Sequence, residues 1–259
     1  MSEACSQSLI DFAATLADAA RTVIRHHFRT PVTVDRKSDN TPVTIADRDA
    51  EAAMRALITE TYPDHGIIGE EFGNAAGTSN LTWVLDPIDG TKSFISGRPI
   101  FGTLIALVRD GKPILGIIDQ PILDERWIGA EGHKTQFNGK IATTRSCKAL
   151  DDAMANSTSP DLFTGPDVAK FGNLTEAVWH MQFGGDCYAY AMLALGHLDL
   201  VVEADLKPFD FCALAPVVSG AGGMITDWRG QPLTLESDGR VAAAGDPSLM
   251  PAVIEILGR

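Results

Sequence analysis

The feature that most constrains this sequence is an apolar strand that ends abruptly in two carboxylates three residues apart. Residues 83–91 read Trp-Val-Leu-Asp-Pro-Ile-Asp-Gly-Thr, so Asp86 and Asp89 stand on either side of a proline. The proline restricts the backbone between the acids, Gly90 permits an unusual dihedral angle, and a helix beginning near Thr91 would direct free N–H groups outward. Such a strand end can hold a hard cation on its carboxylates and an anion on its amides.

More acids occur where other elements are expected to begin or end. Glu70 and Glu71 directly follow an apolar pair at 67–68, and Asp210 stands at the start of a predicted helix. At about 4 Å and an effective dielectric near 20, each pair of carboxylates would cost on the order of 4 kcal/mol. Either these acids lie far apart or a cation neutralises them. Mg²⁺ is the natural candidate because it takes oxygen ligands, and no His/Cys cluster favours zinc.

Local structural roles remain open for the same acids. Asp89 and Thr91 can cap a helix, Asp47 can answer a helix dipole, and the two glutamates can form a solvated turn. For Asp47 taken alone the local role is the better interpretation, because such roles are common. For Asp86 with Asp89 the metal interpretation is stronger, since a helix cap needs one short polar side chain and not two acids around a proline.

Composition limits the classes of protein to which the chain can belong. With 259 residues that are 45% hydrophobic, it can bury a large core without needing disulfides or a structural metal for stability. Its four cysteines show no paired spacing, and its formal charge of −13 disfavours nucleic-acid partners. No signal peptide or membrane span is evident. We therefore expect a cytoplasmic protein with neither a nucleic-acid nor a membrane partner.

Hydrophobic periodicity predicts a layered α/β or α+β fold. We expect a single catalytic unit of two packed lobes, about 1–145 with the metal motifs and 146–259 with substrate recognition. Predicted helices cover 9–28, 44–62, 188–195, the residues after Pro208, and the chain end after Asp246-Pro247. Predicted strands cover 67–68, 83–85, 103–108, 114–118 and 198–202. We expect turns at Asp110-Gly111 and Asn138-Gly139 and a flexible loop over 74–80.

The motif at 86–91 also carries a family resemblance. Together with the Lys-Ser-Phe run that follows it, the Gly-Glu-Glu run at 69–71 and the Phe-Asp pair at 209–210, it resembles the inositol monophosphatase family, which comprises lithium-sensitive, Mg²⁺-dependent phosphatases. The resemblance runs from the first helix to the chain end. It implies an αβαβα sandwich, a small phosphate ester as substrate, and a homodimer.

The resemblance further implies two or three Mg²⁺ ions. Glu70, Asp86 and the carbonyl of Ile88 would hold the first ion, and Asp86, Asp89 and Asp210 would hold the second. A weaker third ion would lie near Glu70. Because two neighbouring metals can activate water and stabilise a leaving oxygen, this ligand set suits hydrolysis of a phosphate monoester.

The resemblance also implies a pair of residues that act on water. Thr91 and Asp47 would orient and deprotonate a water held at the metals, while the amides of Gly90 and Thr91 would cradle the phosphate. No covalent intermediate is required, and none of the cysteines has a partner that suggests one.

The second half of the chain indicates the substrate. Gly185 and Asp186, which we expect at the substrate, lie in a segment where inositol-type members usually carry a neutral glycine-serine/threonine-alanine run. Glu203 occupies a position that contacts substrate hydroxyls in the family. This pattern resembles the histidinol-phosphatase branch, whose substrate carries an ammonium and an imidazole that acidic groups would favour. Three alternatives remain: Asp186 caps a helix, the substrate is an inositol or sugar phosphate, or the chain is a catalytically silent scaffold or regulatory member.

Overall fold

Two amphipathic helices lie near the start of the computed structural model, which describes residues 4–31, 33–36 and 42–258. Helix α1 (Gln7–His27) buries one face at helical spacing, and α2 (Ile45–Thr61) begins at a capping box formed by Thr44 and Asp47. Both predicted helices are thereby confirmed. Between them β1 (Val34–Arg36) pairs with β2 (Pro42–Thr44) in a small ribbon.

The first large sheet has eight strands, antiparallel except where β3 runs parallel to β5, in the order β10-β9-β8-β7-β6-β5-β3-β4. The turns predicted at Asp110-Gly111 and Asn138-Gly139 join β6 to β7 and β9 to β10, and all four residues have positive φ. The strands are β3 (Gly66–Gly69), β4 (Gly73–Ala75), β5 (Leu81–Asp89), β6 (Gly102–Arg109), β7 (Lys112–Gln120), β8 (Glu125–Ala130), β9 (Gln136–Phe137) and β10 (Lys140–Ile141).

The second sheet has five strands in the order β12-β11-β13-β15-β14. They are β11 (Met154–Ser157), β12 (His180–Phe183), β13 (Leu200–Glu203), β14 (Met224–Asp227) and β15 (Val241–Ala244). The remaining helices are α3 (Thr91–Ile95), α4 (Asp167–Ala177), α5 (Asp186–Ala194), α6 (Pro208–Phe211), α7 (Leu214–Gly220) and α8 (Met250–Gly258).

Strand alternation places the helices in layers. On β5, Trp83 and Leu85 pack with α1 and α2, whereas Val84 between them packs with α5 and α7. In the second sheet Val201 faces α5 and α7, and its neighbour Val202 faces α4 and α8. The αβαβα sandwich is therefore confirmed, with α5 and α7 between the two sheets.

Several predicted boundaries are wrong by a few residues. The loop expected over 74–80 begins with strand β4, because this segment adds an antiparallel edge to β3. Helix α5 starts two residues before 188, strand β13 covers 200–203, and Asp246 caps a short 3₁₀ turn that leads into α8. The lobe boundary near 145 falls between the two sheets and stays a prediction, since one apolar core joins both halves.

Among the described helices, none has both the length and the apolar character needed to cross a lipid bilayer.

Candidate active site

A break in strand pairing at the end of β5 directs two acids to one place. The register between β5 and β6 shifts between Asp86 and Asp89. Within this bulge the hydroxyl of Thr103 donates to the carbonyl of Pro87 at 2.8 Å, and the N–H of Ile88 donates to Asp86 at 3.0 Å. The extra residues are thus held in a fixed shape, and carboxylate oxygens of both acids lie within 4.8 Å of each other.

Asp210 completes this acidic cluster from a distant part of the chain. It lies in the first turn of α6, where its carboxylate accepts the N–H of Lys207 at 2.7 Å. Its ligand oxygen is within 4.8 Å of those of Asp86 and Asp89. Glu70, on the turn after β3, lines the same cavity. The structure therefore brings three of the four carboxylates that the sequence predicted as metal ligands within 4.8 Å of one another, and it places the fourth, Glu70, on the same cavity.

The proximity of these acids perturbs their titration. Burial, reinforced by the negative charges of Glu70, Asp89 and Asp210, raises the pKa of Asp86 well above its usual value. Burial and the charges of Asp186 and Asp210 do the same to the pKa of Asp89. The pKa of Asp210 is raised to about 7, mainly by burial.

Uncompensated negative charge together with carboxylate oxygens fits a divalent cation such as Mg²⁺. Ile88 also lines the cavity, and its carbonyl, which accepts the Thr91 hydroxyl at 3.1 Å, can add a neutral oxygen to this set. The acidic cluster can therefore hold a metal ion.

Asp47 and Thr91 lie beside this cluster as a hydrogen-bonded pair. One oxygen of the buried Asp47 carboxylate accepts both the N–H and the hydroxyl of Thr44, at 2.8 and 2.6 Å. This leaves the other oxygen to face the hydroxyl of Thr91 at 3.5 Å, while the same hydroxyl is 3.1 Å from the carbonyl of Ile88. Burial raises the pKa of Asp47, and the bonds from Thr44 oppose that rise.

The cluster lines a cavity of about 400 Å³. Gly90 lines it with a left-handed backbone, φ +86°, and a Cβ there would meet the Asp186 carboxylate at 2.6 Å. No other residue type fits between the acidic cluster and Asp186, so glycine is needed for a close approach. Gly185, which the sequence predicted at the substrate, is the N-cap of α5 and is not among the residues that line the cavity.

The side chain of Asp186 does not cap helix α5, so this alternative is wrong. Its carboxylate accepts the hydroxyl of Ser93 at 3.0 Å, and the N–H of Cys187 in the first turn is bound instead by Asp89 at 2.5 Å. The N–H of Asp186 itself donates to the hydroxyl of Thr158 at 3.1 Å. Asp186 is therefore fixed by tertiary contacts with its carboxylate on the cavity wall.

Glu203 lies on the same wall and is 3% exposed. One of its oxygens accepts the N–H of Thr158 and the other accepts the hydroxyl of Tyr190, each at 3.0 Å. Burial raises its pKa, and these hydrogen bonds act in the opposite direction. Thr158 thus links the two predicted substrate-binding residues, because its N–H donates to the Glu203 carboxylate and its hydroxyl accepts the backbone N–H of Asp186.

Sequence reasoning missed Ser93, Thr158 and Lys92 as parts of this site. Lys92 lines the cavity, and its positive charge acts against the burial that raises the pKa of Asp186. Lys92 and Ser93 lie within the recognised motif and could have been singled out there. Thr158 has no signal in the sequence, since its partners follow 28 and 45 residues later.

Comparison with known proteins gives one family. The sequence profile of the inositol monophosphatase family matches residues 6–259. The chain is 48% identical to the chloroplastic bifunctional phosphatase IMPL2 of Arabidopsis thaliana, over 99% of this chain and 78% of that protein. It is 35% identical to a histidinol-phosphatase of Mycobacterium tuberculosis, over 84% and 86% of the two chains. Among solved structures, an inositol monophosphatase from Zymomonas mobilis is 49% identical, with a TM-score of 0.89 over 98% of each chain.

Proposed function

Because the chain belongs to the inositol monophosphatase family, we propose that this phosphatase hydrolyses L-histidinol phosphate to L-histidinol and phosphate with the help of Mg²⁺. The observation that carries the reaction is the convergence of Asp86, Asp89 and Asp210 within 4.8 Å. Relatives from three bacterial species that are named histidinol-phosphatases, at 34–36% identity, support the choice of substrate.

In this proposal two or three Mg²⁺ ions would be held by Glu70, Asp86, Asp89, Asp210 and the carbonyl of Ile88. Divalent ions in this position would neutralise the phosphate charge and lower the pKa of water toward neutrality. The chain contributes a rigid set of oxygens, since Asp86 is fixed by Ile88 N–H and Asp210 by Lys207 N–H. Preorganised ligands of this kind avoid reorganisation during the reaction.

Thr91 and Asp47 orient the attacking water and accept its proton. The Thr91 hydroxyl would accept a hydrogen bond from the water and turn its own proton, which can also reach the carbonyl of Ile88, toward Asp47. The Asp47 oxygen that does not face Thr91 accepts two hydrogen bonds from Thr44, and these bonds hold the carboxylate in this orientation. Asp47 must be ionised to act as this base, and the bonds from Thr44 favour its ionised form against the effect of burial.

The phosphate lies against the start of α3. Thr91 is the first residue of that helix, so its N–H has no acceptor within the helix and can point at an anion. Gly90, as N-cap, allows the phosphate to approach the backbone closely. Lys92 on the cavity wall adds a positive charge on the same side.

Asp186 and Glu203, which both line the cavity, would contact the organic part of the substrate. Asp186, which Ser93 holds in place, would bind the ammonium or the imidazolium of histidinol phosphate by a charge-assisted hydrogen bond. Glu203 provides a second acceptor deeper in the wall, where Thr158 and Tyr190 hold it. An inositol phosphate carries hydroxyl groups and no cation, so it would gain less from the charge of Asp186.

Charge removal at Asp186 tests this assignment. In Asp186→Asn we expect kcat/KM for histidinol phosphate to fall about 100-fold, while kcat/KM for myo-inositol 1-phosphate changes less than about threefold. Asp161→Asn is the matched control, because Asp161 is exposed at the same cavity and both of its rates should stay within about threefold of wild type. An equal loss of kcat/KM for both substrates in Asp186→Asn would refute the proposal that Asp186 binds the cationic group of the substrate.

Inositol 1-phosphate is the second candidate substrate, supported by the inositol monophosphatase from Zymomonas mobilis at 49% identity. The homodimer and the cytoplasmic location implied by the sequence stay predictions. Sedimentation equilibrium should give twice the 27.7 kDa mass of the chain if the dimer forms.

A further inference from the structure

Three charged residues lie at four-residue intervals on one face of α2: Asp47, Glu51 and Arg55. Asp47 faces Thr91 at the start of this row. Glu51, one turn later, has no exposed surface at all. A fully buried glutamate is rare unless partners satisfy its charge, so its contacts indicate what it does.

Glu51 binds the backbone of the turn that follows β3. One of its oxygens accepts the N–H of Glu71 at 2.8 Å, and the other accepts the N–H of Phe72 at 3.1 Å. The Nε of Arg55 donates to the latter oxygen at 2.7 Å and balances the charge. Because these two amides directly follow Glu70, the Glu51 carboxylate fixes the backbone from which Glu70 reaches the acidic cluster.

The rest of the turn is shaped around the same carboxylate. At Gly69 an added Cβ would lie 2.0 Å from a Glu51 oxygen, a distance that real Cβ atoms do not show. Glycine is needed there for the close approach of Glu51. At the other end of the turn, the guanidinium of Arg55 donates to the carbonyl of Gly73. Residues 71–73 are therefore hydrogen-bonded to side chains of α2, and Gly69 leaves the space that the Glu51 carboxylate occupies.

We propose that Glu51 is a positioning residue for the metal site, acting through the turn that carries Glu70. The inference rests on the proposed function, in which Glu70 is a metal ligand. Since Asp47 and Glu51 are one turn apart, a single helix places both the partner of Thr91 and the ligand turn. Loss of Glu51 should therefore weaken metal affinity and leave the chemical step largely intact once metal saturates the site.

Metal binding to the metal-free protein tests this role without reference to any substrate. Mn²⁺, which takes the same oxygen ligands as Mg²⁺, is titrated while electron paramagnetic resonance measures the free ion. In Glu51→Gln an amide NH₂ must face one of the N–H donors, so the turn loses a hydrogen bond and we expect about tenfold weaker binding. Glu60→Gln, the same change at an exposed site on α2, should bind within about twofold of wild type.

Phosphate release gives the second readout. For Glu51→Gln the Mg²⁺ concentration at half-maximal rate should rise about tenfold, and kcat at saturating Mg²⁺ should stay within about threefold of wild type. A merely structural role would lower kcat without moving the metal dependence. Gly69→Ala provides an independent variant, because its methyl group displaces the Glu51 carboxylate without removing the charge, and it should weaken Mn²⁺ binding similarly.

Glu70→Gln separates this inference from the proposed function. If Glu70→Gln weakens Mn²⁺ binding more than tenfold while Glu51→Gln binds normally, the positioning role is overturned and the ligand assignment stands. If Glu70→Gln binds normally, the assignment of Glu70 as a ligand fails, and the positioning role fails with it. Should Glu51→Gln not fold by circular dichroism, normal Mn²⁺ binding by Gly69→Ala overturns the role.

Discussion

Asp89→Asn should remove activity and at the same time stabilise the metal-free protein. Carboxylate oxygens of Asp86, Asp89 and Asp210 lie within 4.8 Å of one another. At that separation and an effective dielectric near 20, each ionised pair repels by about 3.5 kcal/mol. The substitution removes two of the three pairs, a gross repulsion of about 7 kcal/mol, although proton uptake by the raised-pKa acids relieves much of it in the wild type.

We therefore expect a net gain of about 2 kcal/mol in the unfolding free energy of metal-free Asp89→Asn at pH 8. The fold should survive, because the asparagine oxygen can still accept the N–H of Cys187. With Mg²⁺ at 100 times its dissociation constant, the wild type should gain about 2.7 kcal/mol from binding and the variant should gain almost none. The rate of phosphate release should fall at least about 1000-fold.

Urea unfolding in EDTA measures the stability of the metal-free proteins, and unfolding with Mg²⁺ measures how far the ion stabilises each of them. The control is Asp161→Asn, because Asp161 is an exposed acid at the same cavity. The control should respond to Mg²⁺ as the wild type does. A metal-free Asp89→Asn protein less stable than wild type, or one that Mg²⁺ still stabilises fully, would refute the reasoning. Retained hydrolysis would show that Asp89 is not a ligand.

Three further predictions concern the base, the metals and the fold. Thr91→Ala should lower kcat about 100-fold or more and Thr91→Ser less than about tenfold, because serine keeps the hydroxyl that faces Asp47; equal losses would contradict the proton path. Li⁺ at about 1 mM should inhibit phosphate release by displacing loosely held Mg²⁺, and insensitivity would count against a weak metal site.

The Trp83 indole donates to the acceptor nitrogen of His65, and burial lowers the pKa of His65 below 6.5. The stabilisation of the folded protein by neutral His65 is therefore present above pH 6.5, and it is lost as the pH falls toward the lowered pKa of His65. The stability difference between wild type and His65→Gln, on the order of 1 kcal/mol, should shrink between pH 7.5 and 5.5; a constant difference would contradict this.

The acidic cluster could be predicted from the sequence because its members lie at ends of elements that the hydrophobic periodicity also predicts. Asp86 and Asp89 end an apolar strand, and Asp210 follows a proline that begins a helix. The bulge that points both β5 acids the same way could not be predicted, because it depends on a bond from Thr103 in the next strand. Which acids form the cluster was thus evident from local sequence, whereas the geometry that brings them together was not.

The sequence left two alternative roles open for Asp47, and the structure shows that they coexist. One Asp47 oxygen caps α2 while the other faces Thr91, so its local role and its place in the site belong to the same carboxylate. The contacts of Glu51, by contrast, could not be predicted from the sequence. A glutamate in the middle of a helix is typical of a solvated face, and its partners in the Glu70 turn lie about 20 residues further along the chain.

The central claim is tested most directly by phosphate release from histidinol phosphate and from myo-inositol 1-phosphate, each measured with Mg²⁺ and with EDTA. The acidic cavity wall predicts at least about 100-fold higher kcat/KM for histidinol phosphate, or about 2.7 kcal/mol of discrimination, and no turnover of either ester in EDTA. Preference for the inositol ester would contradict the substrate assignment. Turnover in EDTA would contradict the metal-dependent reaction itself.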